Sequence, residues 1–214
     1  MERRQASDSP AAGEAPLGIR FPEAFRDAAG SFMEMIRERN RVMNLVGPGE
    51  TGRLWERHVL ESAAFSLLLD PSKPVADIGS GAGFPGMVLA MLGFDVILLE
   101  PRRNRALFLE YAAGRLGLGN VSVIRSRLED WPGTAPQFTA RSLMPAGELV
   151  RLLEELGHSC SVTVRVPPGE SAMPGCVRTL DLPVPPLDRP GVLVQYRIPI
   201  VRPYEAGSTR KATP

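Results

Sequence analysis

The run Val75-Ala76-Asp77-Ile78-Gly79-Ser80-Gly81-Ala82-Gly83-Phe84-Pro85-Gly86 constrains this chain more than any other stretch. A short apolar strand carrying one acid runs into three glycines spaced by two. Glycine reaches positive φ without penalty and has no Cβ to hold a ligand off the main chain. Pro85 suits the first turn of a helix, where a missing N–H costs nothing. Strand, glycine loop and helix in that order form the entry to a nucleotide-type site at the carboxyl edge of a parallel sheet.

The run has two parses. Gly81-x-Gly83-x-x-Gly86 has the dinucleotide spacing, in which the strand leads straight into the first glycine. Asp77-x-Gly79-x-Gly81-x-Gly83 has the spacing used for S-adenosylmethionine. The apolar stretch stops at Gly79, two residues before Gly81, which favours the second parse. A ligand without a pyrophosphate also has less need of a helix N-terminus aimed at phosphate. Downstream, residues 94–100 read as a second buried strand ending in Glu100. That is close to the twenty or so residues expected for a carboxylate that accepts bonds from ribose hydroxyls. Residues 105–116 carry apolar side chains at helical spacing, Gly117 stops them, and 121–124 form the next strand. Arg127-Leu128-Glu129-Asp130 follows its end, where an adenine would sit.

The remaining pattern is an α/β chain with a mostly parallel, Rossmann-like sheet, closed by an antiparallel hairpin of strands near 177–182 and 192–200. Helices near 32–43 and 51–69 precede the first strand, and a fourth strand is expected near 138–142. These divide the chain into a tail at 1–18, a helical cap at 19–70, a catalytic domain at 71–202 and a second tail at 203–214. The first tail is rich in Ala, Pro, Gly and Ser and is expected to be disordered. No stretch of about twenty apolar residues exists, so no membrane span is expected. Two cysteines without metal spacing point to plain thiols, no metal site and a reducing cytoplasm.

Formal net charge is only +1, yet the basic residues cluster. Arg102, Arg103, Arg105, Arg115, Arg125 and Arg127 stand against Glu110 alone between residues 101 and 127. Such a run reads equally as a solvated helix face or as a phosphate-contacting patch. Arg57 reads equally as an ion-pair partner of Glu61, four residues on, or as a phosphate contact. His58 beside it reads as a structural hydrogen-bonder or an RNA contact rather than a catalytic base.

Several segments together resemble the bacterial small-subunit (16S) ribosomal RNA guanine-N7 methyltransferases, also called glucose-inhibited division protein B. They are Met43-Asn44-Leu45-Val46, Glu56-Arg57-His58-Val59-Leu60-Glu61-Ser62, the glycine run through Gly86, Leu118-Gly119-Asn120-Val121, Arg125-Ser126-Arg127-Leu128-Glu129-Asp130 and Leu182-Pro183-Val184-Pro185-Pro186-Leu187-Asp188. The resemblance implies a class I methyltransferase that binds S-adenosylmethionine through Gly79 and Phe84, with Leu128 and Glu129 near the adenine. Asp77, Gly81, Gly83 and Glu100 join that cofactor set from the pattern above. The resemblance adds Arg141, as the arginine following the fourth strand. It also implies 16S rRNA or the small ribosomal subunit as partner; Arg57, His58, Arg102, Arg103 and Arg125, singled out above by their charge and setting, are the candidate RNA contacts. The chain departs from the family at Val164-Arg165-Val166-Pro167-Pro168-Gly169, where an Ala-Leu-Lys-Gly segment is usual, and its fourth strand is shorter. Competing expectations are a catalytically weak RNA- or ribosome-binding module and a small-molecule methyltransferase.

Overall fold

Val75-Ala76-Asp77-Ile78 has no exposed member, the mark of a strand covered on both faces. In the computed structural model, which describes residues 16–169 and 174–199, this segment is β1 (Val75–Ile78), an interior strand of a seven-stranded sheet. The others are β2 (Val96–Leu99), β3 (Val121–Ile124), β4 (Gln137–Ala140), β5 (Cys160–Val166), β6 (Cys176–Leu182) and β7 (Gly191–Ile198). Their order is β3-β2-β1-β4-β5-β7-β6. Strands β1 to β5 run parallel, and β7 lies antiparallel between β5 and β6. The expected Rossmann-like sheet with its closing hairpin is therefore present. Chain direction around the sheet reverses between β1 and β4, and at such a switch point a crevice opens beyond the carboxyl ends.

Successive residues of a strand face opposite ways, and the core divides accordingly. Val75, Val96 and Leu98 pack with α1 (Phe25–Met43), α2 (Leu60–Ala64), α3 (Gly86–Met91) and α4 (Arg103–Arg115). Ala76, Ile78, Leu99, Phe138 and Ala140 pack on the other face with α5 (Ala146–Glu155). Helix α1 begins at Phe25, seven residues before the stripe read from sequence, because Phe25 and Ala29 extend the same buried face. It ends at Asn44, whose φ of 48° is left-handed, a conformation asparagine tolerates.

The segment read as one helix over 51–69 is a sequence of different turns. A 3-10 turn (Thr51–Arg53) leads into a π turn (Trp55–Val59), then α2, then another 3-10 turn (Phe65–Leu68). All five residues of α2 are buried, Glu61 included. A π turn widens the helix locally and is frequent at functional sites. Here it buries Trp55, His58 and Val59 together. Strand β4 ends at Ala140 rather than near 142, since Ser142 takes a φ of 55° and turns the chain away. Of the two tails expected at 1–18 and 203–214, residues 1–15 and all of the second lie outside the described residues. Pro16–Gly18 form a 3-10 turn with Leu17 packed on the core.

Candidate functional site

The crevice at the end of β1 is walled by the glycine loop, and its glycines do different jobs. Gly79 and Ser80 donate N–H bonds to Leu99 O at 2.8 and 3.1 Å, pinning the loop to β2. Gly81 (φ 57°) faces open space: an added Cβ would meet nothing nearer than 3.6 Å. Gly83 (φ 99°) faces inward, and a Cβ there would stand 2.7 Å from Met87 and 2.9 Å from Phe32. It is a packing glycine, absent from the crevice lining. Gly79 (φ 66°) lies under Leu143, whose Cδ1 would be 2.7 Å from an added Cβ.

Two cavities meet at Gly79. One, about 350 Å³, is lined by Gly79, Ser80, Gly81, Ala82 and Phe84 from the loop, with Glu50, Arg57, His58, Glu61, Arg105, Arg141 and Arg189 around it. The other, about 190 Å³, lies between Ile78, Leu99, Leu128, Glu129, Leu143 and Met144. The first is polar and the second largely apolar, which matches the two ends of an amphiphilic nucleoside. Leu143 belongs to the wall of the apolar one only.

Four arginines face two glutamates in the polar cavity. Arg141 leaves the end of β4, donates to His58 Nδ1 at 2.5 Å and Glu61 Oε1 at 3.2 Å, and lies over the Phe84 ring at 5.2 Å. His58 stacks on Phe84 at 4.9 Å and meets Glu50 Oε2 through Nε2 at 3.2 Å. With Nδ1 accepting from Arg141, the fitting tautomer carries its proton on Nε2. Burial, then the Arg141 charge, pulls the His58 pKa down to about 3, against the opposing pull of Glu50. The ring is therefore neutral at pH 7. Burial pushes Glu50 up, but the Arg57 bond, the Gly47 amide and the adjacent positive charges outweigh it and hold the carboxyl at about 2. Burial also lowers the Arg141 pKa, an effect opposed by Glu61 and Asp77. Glu61 additionally faces Arg165 Nε at 3.4 Å.

Several residues singled out from sequence stand elsewhere than expected. Asp77 lies 1 % exposed beneath the loop, accepting from Thr139 Oγ1 at 2.9 Å and from the Gly86 amide at 3.2 Å. Burial lifts its pKa to about 6 despite those bonds. Because Asp77 pairs with Thr139 across the β1–β4 ladder, its carboxyl joins sheet to helix and does not line either cavity. Glu100 is 3 % exposed, and its two oxygens accept from the Gly81 and Arg102 amides, both at 2.8 Å. It fixes the loop that a ligand would touch. Arg57 pairs with Glu50 and with Asp188 at 3.3 Å, not with Glu61. His58 is likewise held by internal partners, and both residues line the polar cavity. Arg102, Arg103 and Arg125 are exposed. Leu128, Glu129, Phe84 and Arg141 line the cavities.

Sequence reasoning missed Glu50, Arg165 and Arg189, and had Arg105 only as one of a basic run. Arg165 occupies the strand where the family's usual lysine is missing, and it carries a guanidinium to Glu61. Its alternation with buried Val164 and Val166 on β5 was the available signal.

With the geometry in place, the comparisons decide the lineage. A family model described as "GidB: rRNA small subunit methyltransferase G" matches residues 26–164. The chain belongs to that family. It is 38 % identical over 144 residues to the ribosomal RNA small subunit methyltransferase G of Acidothermus cellulolyticus, covering 66 % of this chain and 61 % of the relative. It is 39 % identical over 150 residues to that of Streptomyces avermitilis, covering 68 % and 62 %. The match thus spans somewhat over three-fifths of these relatives' length. An RNA methyltransferase from Salinibacter ruber in complex with S-adenosyl-L-homocysteine shares the fold with TM-score 0.51 at 18 % identity, covering 76 % of this chain and 99 % of that one. The putative methyltransferase yhhF from Escherichia coli does so with TM-score 0.50 at 17 % identity, covering 66 % and 84 %.

Proposed function

We propose that this GidB-family chain transfers a methyl group from S-adenosylmethionine to N7 of a guanine in small-subunit (16S) ribosomal RNA, with residues 19–70 serving as a helical cap on a transferase domain at 71–202. The observation that carries the reading is the pair of unlike cavities joined at Gly79, in a chain whose family model spans the glycine loop and the arginine after β4. The residues fit the donor. The apolar chamber by Leu128 and Glu129 suits an adenine, and the bare main chain at Gly81 suits an aminoacyl end. When bound, the donor supplies an electrophilic sulfonium methyl.

What remains for the protein is placement. Guanine N7 carries a lone pair outside the aromatic π-system, so no proton need be removed before it accepts a methyl group. Both nitrogens of His58 are engaged, one by Arg141 and one by Glu50, so the ring has no free site for a proton. That suits a reaction driven by orientation and exclusion of water. Arg141, fixed by His58, Glu61 and Phe84, presents a rigid cation to the cavity, and an arginine donating to guanine O6 alone leaves the N7 lone pair free for the methyl group. The test is incubation with labelled donor and 16S rRNA or small subunits from cells lacking this protein, followed by nucleoside digestion. Labelled 7-methylguanosine is expected. Donor binding without incorporation would favour the RNA-binding module instead.

A further inference from the structure

The sequence placed a basic run at 101–127 without showing where it leads. In the structure Arg125 follows β3 at the sheet edge where β2 also ends, and Arg102, Arg103 and Arg105 gather at the N-terminal end of α4. There they meet the C-terminal end of α1 in a groove of about 480 Å³, lined by Val42, Asn44, Arg102, Arg103 and Arg105 among others. Helix α1 adds the exposed Arg39, whereas Arg41 turns toward Arg37, Thr51 and Gly52 in a separate cavity. Among the described residues, Arg39, Arg41, Arg102 and Arg103 form no ion pair with a carboxylate.

Two further features distinguish this seam from an ordinary solvated face. Tyr111 of α4 is 44 % exposed, and Arg39 lies over its ring at 5.6 Å; Val42 beside the groove is 78 % exposed. Exposed aromatic and apolar surface set among unpaired arginines is what stacked bases and phosphates require together. Arg105 also lines both the groove and the polar cavity, and its Nη2 donates to Asn44 O at 3.2 Å. The groove therefore opens directly beside Gly81.

We infer that the α1–α4 seam is the path along which a single-stranded RNA segment approaches the polar cavity, its phosphates held by Arg39, Arg102 and Arg103. This rests on the RNA reading proposed above. Arginine suits the role because its planar fork pairs with phosphate oxygens and stacks on bases. Half of the seam comes from α1, outside the basic run evident in sequence.

The test uses the full chain, a 16S rRNA transcript and a salt titration of binding. Each phosphate contact to a single strand contributes about 0.7 to the slope of log affinity against log salt. The Arg39→Ala/Arg103→Ala double variant should lower that slope by about 1.4, with unchanged S-adenosylhomocysteine affinity and melting temperature. Arg151→Ala, an exposed arginine on α5 across the sheet, should leave the slope unchanged. An unaltered slope in the double variant, or an equal loss in the Arg151 variant, would overturn the seam. Wild-type protein that does not bind the transcript at all would remove the RNA reading itself.

Discussion

Replacing Gly83 and Gly81 in turn by alanine separates the two uses of glycine in one loop. At Gly83 (φ 99°) the new Cβ would stand 2.7 Å from Met87 Cγ, 2.9 Å from Phe32 Cζ and 3.0 Å from Leu109 Cδ2. Positive φ costs an alanine about 1–2 kcal/mol, and forcing a methyl into a filled core costs about 1–3 kcal/mol more. The Gly83→Ala variant should therefore lose about 2–5 kcal/mol, or about 4–20 °C in melting temperature for a chain of this size. At Gly81 (φ 57°) the Cβ meets only Arg105 Nη1 and the Gly79 carbonyl oxygen, both at 3.6 Å, so the strain remains without the crowding. Gly81→Ala should cost about 1–2 kcal/mol yet weaken S-adenosylhomocysteine binding, since the methyl occupies the cavity side of the loop. Thermal melts and calorimetry give both readouts. Equal melting temperatures for the two variants, or intact ligand affinity in Gly81→Ala, would refute the division of labour.

Further outcomes follow from the buried charges. The pKa of Asp77 is raised from 3.8 to about 6, so proton binding favours the fold; the benefit is full below pH 3.8 and lost as pH rises through 6. The stability of Asp77→Asn relative to wild type should therefore climb by about 3 kcal/mol between pH 3 and 7 and then level off, in denaturant melts across that range. His58, lowered from 6.5 to about 3, has the opposite sign: its contribution is full above pH 6.5 and lost as pH falls toward 3. Ring NMR should show His58 still neutral at pH 5. Glu61→Gln leaves the Arg141 and Arg165 guanidinium groups without their shared carboxylate and should cost about 3–5 kcal/mol in chemical denaturation.

Backbone features were legible where one residue type dictates them. The glycine spacing located the loop, and the apolar runs located β1 and β2, because strands buried on both faces leave an uninterrupted signature. Asp77 and Glu100 were legible as important acids but not by role. Sequence shows a carboxylate at a strand end, whereas its partners, the Thr139 hydroxyl and the Gly81, Gly86 and Arg102 amides, are set by strand register and loop path. The polar cavity was least legible. Glu50, Glu61, Asp188 and Arg165 come from four separate segments, and charge pairing at a distance of 131 residues leaves no periodic trace. The π turn that buries His58 was equally hidden, since its apolar spacing mimics an ordinary helix.

The position of Leu143 over Gly79 has a consequence for how ligands are counted. An adenosine fragment and an amino-acid fragment can each enter a separate chamber while that side chain stays where it is. Trimming that leucine to alanine removes apolar wall from the smaller chamber alone, so the adenosine half should bind less tightly while the amino-acid half is unaffected.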